Sequence, residues 1–87
     1  MRREQVTISN KLGLHARAAA KLVHTASGFE AEIFIGTDHE EVNAKSILGI
    51  LTLAATKGTP LNIRAEGSDE EEAVQAVPDA FVDEIAL

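Results

Sequence analysis

Apolar and polar positions alternate in short runs, then switch to helical spacing, and the switch recurs three times along the 87 residues. Val6 and Ile8 alternate with Gln5, Thr7 and Ser9, which predicts a short half-buried strand over residues 5–9. Ala19, Leu22, Val23 and Ala26 recur at helical spacing and predict a helix over residues 16–27 with that stripe facing the core, closed by Gly28 as its C-cap. Ala31, Ile33 and Ile35 alternate with Glu30, Glu32 and Phe34 as a second strand. Residues 36–39 read as a turn, and Glu41, Val42 and Asn43 as a short third strand in a hairpin with the second. Ser46 is a natural N-cap for a second helix over residues 47–56. That helix is apolar nearly all round. Ile50, Leu53 and Ala54 form one stripe, and Ile47, Leu48 and Leu51 another. The pattern leaves two readings open: both sides covered, or one stripe exposed as a docking patch. After a turn over residues 57–60, Leu61, Ile63 and Ala65 alternate with Asn62, Arg64 and Glu66 as a fourth strand. Gly67 and Ser68 break the run. Ser68 with Glu71 reads as a capping box opening a third helix, whose core stripe is Val74, Val77, Phe81 and Ile85. Pro78 deletes a backbone bond there, at ~3 kcal/mol or more, and predicts a kink or split over residues 74–78.

The order β-α-β-β-α-β-α, with strands that bury one face, predicts an α+β fold: an antiparallel sheet with helices on one side, in a single domain over residues 1–87. Periodicity alone does not separate this from a ferredoxin-like arrangement.

Composition narrows the function classes. With 45% hydrophobic and 25% charged residues the chain is globular rather than disordered. No apolar run approaches the ~20 residues that span a bilayer, and residues 1–5 lead into strand-like sequence without the apolar stretch of a signal peptide. The absence of cysteine excludes disulfides, thiol chemistry and cysteine-based zinc sites. All this suits a cytoplasmic protein without membrane insertion. Residues 1–64 hold all 8 bases, whereas residues 65–87 hold acids and no base, so the net charge of −6 is unevenly placed. The first part offers a basic surface to an acidic partner. Three Phe and no Tyr or Trp leave little for base stacking, which argues against nucleic-acid binding. Asp38, His39, Glu40 and Glu41 are adjacent residues that converge poorly on one ion, so a solvated turn is expected there and no metal site.

The candidate chemistry lies in Gly13-Leu14-His15-Ala16-Arg17, between the first strand and the first helix. His15 falls at the helix N-cap, where the first amides lack internal partners and the dipole favours negative charge. One reading is a polar cap and no more. The other is an anion site with a nucleophile in it: a group with formal negative charge held on His15 would meet amide donors, with Ala16 the first, and the guanidinium of Arg17. Arg17, Lys21 and His24 share one polar face, and for Lys21 and His24 a solvated face is the favoured reading.

Two separated stretches, Leu12-Gly13-Leu14-His15-Ala16-Arg17-Ala18-Ala19 and Val42-Asn43-Ala44-Lys45-Ser46-Ile47-Leu48-Gly49, together strongly resemble the HPr family, the histidine-containing phosphocarriers of the bacterial phosphoenolpyruvate-dependent sugar phosphotransferase system. The resemblance covers essentially the whole chain. It implies an open-faced β-sandwich, a four-stranded antiparallel sheet with three helices on one face. It implies that His15 takes a phosphoryl group through ring Nδ1 from phospho-enzyme I and passes it to an enzyme IIA domain, with Arg17 binding the phosphate. Ser46 matches the regulatory serine, which makes an HPr kinase/phosphorylase a further partner. Ile47, Leu48 and Leu51 match the apolar docking surface, with Lys45, Lys21 and His24 as flanking docking residues. A monomeric carrier is implied, without stand-alone turnover and without a cofactor. The chemistry agrees, since a neutral imidazole is a nucleophile near pH 7 without a general base, and phosphoryl transfer needs mostly positioning and charge neutralisation.

The chain also departs from the pattern. Ala18 stands where many members carry proline, which predicts unchanged chemistry and a more flexible helix start. His24, Ser27 and Gly49 replace residues that are often basic, which weakens steering toward acidic partners. The Leu-Gly-Leu-His-Ala-Arg-Ala form is also similar to nitrogen-related branches of the family. A regulatory module acting only through phospho-Ser46 is a further alternative, against which the retention of His15 and Arg17 argues. A small hydrolase built on His15 lacks any evident acid–base pair or metal set.

Overall fold

The most regular alternation in the chain forms the middle of the sheet. Leu61, Ile63 and Ala65 turn every second side chain to one face and are fully buried within the strand Pro60–Glu66. In the computed structural model, which describes residues 1–7, 15–53 and 58–80, the chain order is β1 (Arg2–Thr7), α1 (Ala16–Ala26), β2 (Glu32–Gly36), β3 (Glu41–Asn43), α2 (Ile47–Thr52), β4 (Pro60–Glu66) and α3 (Glu70–Ala80). The strands make one antiparallel sheet in the order β1-β4-β2-β3. β1 is therefore an edge strand, which separates the fold from the ferredoxin-like order with its interior first strand. The β1-α1-β2 connection steps over β4, and the β3-α2-β4 connection steps over β2.

Register fixes which side chains the helices cover. Arg2, Glu4 and Val6 lie opposite Ala65, Ile63 and Leu61, so β1 turns them toward the core face. Ile33, Ile35 and Val42 share that face. α3 packs on β1 and β4, α1 on α3 and α2, and α2 on β3. Ala18, Ala19, Leu22, Ile50 and Val77 close the core from the helix side, each fully buried. The opposite face of the sheet has no helix among the described residues. Arg64 sits at its centre, donating to Glu41 at 2.7 and 3.1 Å and to Glu66 at 3.0 Å, 4.2 Å above the Phe34 ring. The bond from Arg64 holds the Glu41 carboxyl below the usual range.

Several boundaries differ from the sequence expectation, each for a local reason. β1 begins at Arg2, earlier than residue 5, because its pairing with β4 runs from Thr7 to Arg2; on an edge strand those positions are exposed and carry no apolar signal. Residues 8 and 9 lie outside the described residues. α1 is capped by Ser27 instead of Gly28: Ser27 stays right-handed and its N–H reaches the Val23 and Thr25 carbonyls, so the tightened last turn needs no left-handed residue. α2 closes at Leu53; Ala54 and the rest of 54–57 are outside the described residues. Pro60 belongs to β4 and not to the turn. The expected Ser68–Glu71 box is replaced. Glu70 Oε1 takes the Gly67 N–H at 3.2 Å, and Glu71 pairs with Arg2 at 2.9 Å. The helix begins behind Asp69, whose carbonyl takes the Ala73 N–H. α3 is a single helix through Pro78 and not two. The proline removes the donor to the Val74 carbonyl, while buried Val74 and Val77 anchor the turn that precedes it. Phe81 and Ile85 lie outside the described residues.

Candidate functional site

His15 is the N-cap of α1, in extended conformation (φ −84°, ψ 176°). Ala18, Ala19 and Leu22 anchor the first two turns in the core and so hold the cap in place. The His15 carbonyl takes the Ala19 N–H at 2.9 Å, the first intrahelical bond. Ala16 and Arg17 precede that bond, so their N–H groups have no intrahelical acceptor. The half-buried His15 ring turns Nδ1 to the helix, where it accepts the Ala18 N–H at 3.4 Å. A ring nitrogen that accepts a backbone N–H carries no proton, so the neutral ring has its proton on Nε2 and its lone pair on Nδ1. Ala16 and Arg17 are exposed beside it in the same turn. Lys21 and His24 are exposed farther along α1, His24 in the last turn.

Ser46 caps α2 as the pattern predicts, its Oγ accepting the Gly49 N–H at 3.2 Å. Of the two stripes, Ile50 is fully buried and Leu53 nearly so, while Ile47, Leu48 and Leu51 are 41%, 73% and 37% exposed. One apolar stripe of α2 thus faces outward, on the helix that packs against α1. Lys45 is a different case from the other flanking residues. It is half-buried, and its Nζ donates to the Phe29 carbonyl at 2.8 Å, tying the start of α2 to the loop after α1.

The family model described as "PTS HPr component phosphorylation site" matches residues 2–83. The chain belongs to the HPr family. It is 49% identical over 81 residues to the phosphocarrier protein HPr of Xylella fastidiosa (strain Temecula1), covering 93% of this chain and 91% of the relative. It is 46% identical over 74 residues to the HPr-like protein Crh of Halalkalibacterium halodurans, covering 85% and 88%. Among solved structures, HPr-C-His from Thermoanaerobacter tengcongensis aligns at a TM-score of 0.90 and 44% identity, over 100% of this chain and 98% of that one. The four-stranded sheet with three helices is the HPr fold, and a phosphocarrier role in the phosphotransferase system comes with the family.

Against other HPr chains the residue that sequence reasoning undervalued is Ala18. It is fully buried, and its N–H touches the candidate nucleophile, so alanine adds a contact at the helix start. The readable signal is the N–H itself, which a proline at that position lacks. No helix among the described residues is long and apolar enough to cross a membrane. No group of three or more His, Asp or Glu among them is placed to hold a metal. His39 is exposed, its N–H donating to Thr37 Oγ1 at 3.2 Å.

Proposed function

We propose that this HPr-family chain carries a phosphoryl group on Nδ1 of His15, taken from phospho-enzyme I and passed to an enzyme IIA domain in the cytoplasm. The observation that carries the reading is the place of His15 Nδ1, which accepts the Ala18 N–H at 3.4 Å at the N-terminus of α1. In the transfer the Nδ1 lone pair forms the new N–P bond, and the donor histidine nitrogen keeps the electron pair of the bond that breaks. The Ala16 and Arg17 amides and the helix dipole stabilise the negative oxygens. The exposed Arg17 guanidinium adds a charge-assisted donor that costs no buried desolvation. A half-buried ring suits a carrier, because tight enclosure of the phosphoryl group would oppose its release. Incubation with phosphoenolpyruvate and enzyme I should place acid-labile, base-stable phosphate on the parent and none on His15→Ala. An unlabelled, folded parent would overturn the reading. Onward transfer to a sugar-specific IIA domain, against transfer to a nitrogen-regulatory one, distinguishes the two branches.

A regulatory role for Ser46 is the second reading, favoured by an exposed serine that caps the helix bearing the outward apolar stripe. Phosphate at that cap adds about −1.5 to −2 charge where the helix end tolerates it, but beside Ile47 and Leu48. Ser46→Asp is expected to keep the melting temperature and to weaken enzyme I binding several-fold. Equal binding by titration calorimetry would count against it.

A further inference from the structure

In the first turn of α1 the Ala18 N–H donates to His15 Nδ1 at 3.4 Å, a long bond. We propose that this backbone N–H is a positioning donor for the phosphoryl transfer: it holds the nucleophilic nitrogen before transfer and, fixed in place, donates to a phosphoryl oxygen after it. The inference rests on the His15 reading above.

Three observations carry it. The contact selects the tautomer with the lone pair on Nδ1, the one that attack at that atom requires. Its length means that little is lost when the lone pair leaves the N–H for phosphorus. The donor cannot swing away, because Ala18 is fully buried, as are Ala19 and Leu22 of the same two turns. Once Nδ1 is bonded to phosphorus it accepts nothing, and the N–H then lies beside oxygens bearing formal negative charge. An amide donates to a charged oxygen about twice as strongly as to a neutral acceptor. The N–H therefore favours the phosphorylated state over the free one. Members of the family with proline at this position have no such donor.

Ala18→Pro isolates the effect. The Ala18 N–H has no intrahelical acceptor, so proline in this first turn deletes the donor without deleting a helix bond. Phosphoramidate is the probe: the imidazole nitrogen forms the N–P bond as the P–N bond of the reagent breaks and ammonia leaves, with no need for enzyme I. The exposed His24 and His39 serve as references in the same sample. Nitrogen-15 NMR should show the parent His15 ring with its proton on Nε2 and the variant with a share moved to Nδ1. The phosphohistidine at His15 should hydrolyse about tenfold faster in the variant, with His24 and His39 unchanged. Ala18→Gly, which keeps the N–H, should behave as the parent. Equal tautomers and equal lifetimes in a folded variant would overturn the proposal. If Ala18→Pro does not fold, an ester in place of the Arg17–Ala18 peptide bond removes the same N–H and is read in the same way. Labelling of the parent by enzyme I together with equal lifetimes overturns the donor role alone. Unequal lifetimes without labelling by enzyme I support the donor and overturn the carrier reading.

Discussion

Asp69 accepts the N–H groups of Glu30 and Ala31 at 2.9 and 2.8 Å, so one carboxylate ties the start of α3 to the loop between α1 and β2. Gly67, two residues earlier, makes this approach possible. Its φ of +151° is left to glycine, and a Cβ there would stand 2.6 Å from the Ala31 Cα. The Glu30 N–H first, with the Ala31 N–H, holds the Asp69 carboxyl below the usual range. A depressed carboxyl contributes stability above the unfolded-state value of ~3.9, and that contribution is lost as pH falls through the lower folded value. Asp69→Asn is therefore expected to melt below the parent at neutral pH, with the two melting temperatures converging in acid. Parallel curves from pH 7 into strong acid, followed by circular dichroism, would show that the charge of Asp69 is not involved. The acids after Gly67 were legible as a helix start. Which of them caps, which pairs with Arg2 and which crosses to Glu30 depended on neighbours some forty or seventy residues away.

At the scale of the element, α2 divides a packed stripe from an exposed one within two turns. Its core stripe and its outward stripe are both aliphatic, so hydrophobicity does not tell them apart. What separates them is the position of β3 and α1 on one side only. Gly49 lets α2 sit close: a Cβ at that position would stand 3.2 Å from the Val42 Cβ. Ile50→Ala should cost ~2–5 kcal/mol in urea unfolding, as truncation of a fully buried branched side chain does. Leu48→Asp should stay within ~0.5 kcal/mol of the parent, because Leu48 is 73% exposed, while lowering enzyme I affinity. A large stability loss at Leu48 would mean that the outward stripe is covered. The pattern alone justified two stripes and no choice between them, and it gave no sign that Lys45 donates to the Phe29 carbonyl.

For the whole molecule, alternation with period two and a stripe with period 3.6 were enough for every element, because burying one face of each leaves that imprint wherever a side is covered. The imprint fades where an element borders water. The charged beginning of β1 went unread for that reason, although Arg2, Arg3 and Glu4 also blunt an edge strand against pairing with other chains. The His15 and Ser46 motifs, and with them the family, were legible as well, because cap positions and glycine turns are local chemistry. The sequence by itself thus determined the elements, the class of fold and the candidate phosphoacceptor. The tertiary structure alone decided that β4 lies inside the sheet, that Arg64 gathers Glu41 and Glu66 over Phe34, and that one stripe of α2 faces outward. It also decided that Ala18 turns its N–H on His15. Each of these depends on where distant segments or a side-chain rotamer come to rest, and neither spacing nor composition encodes that.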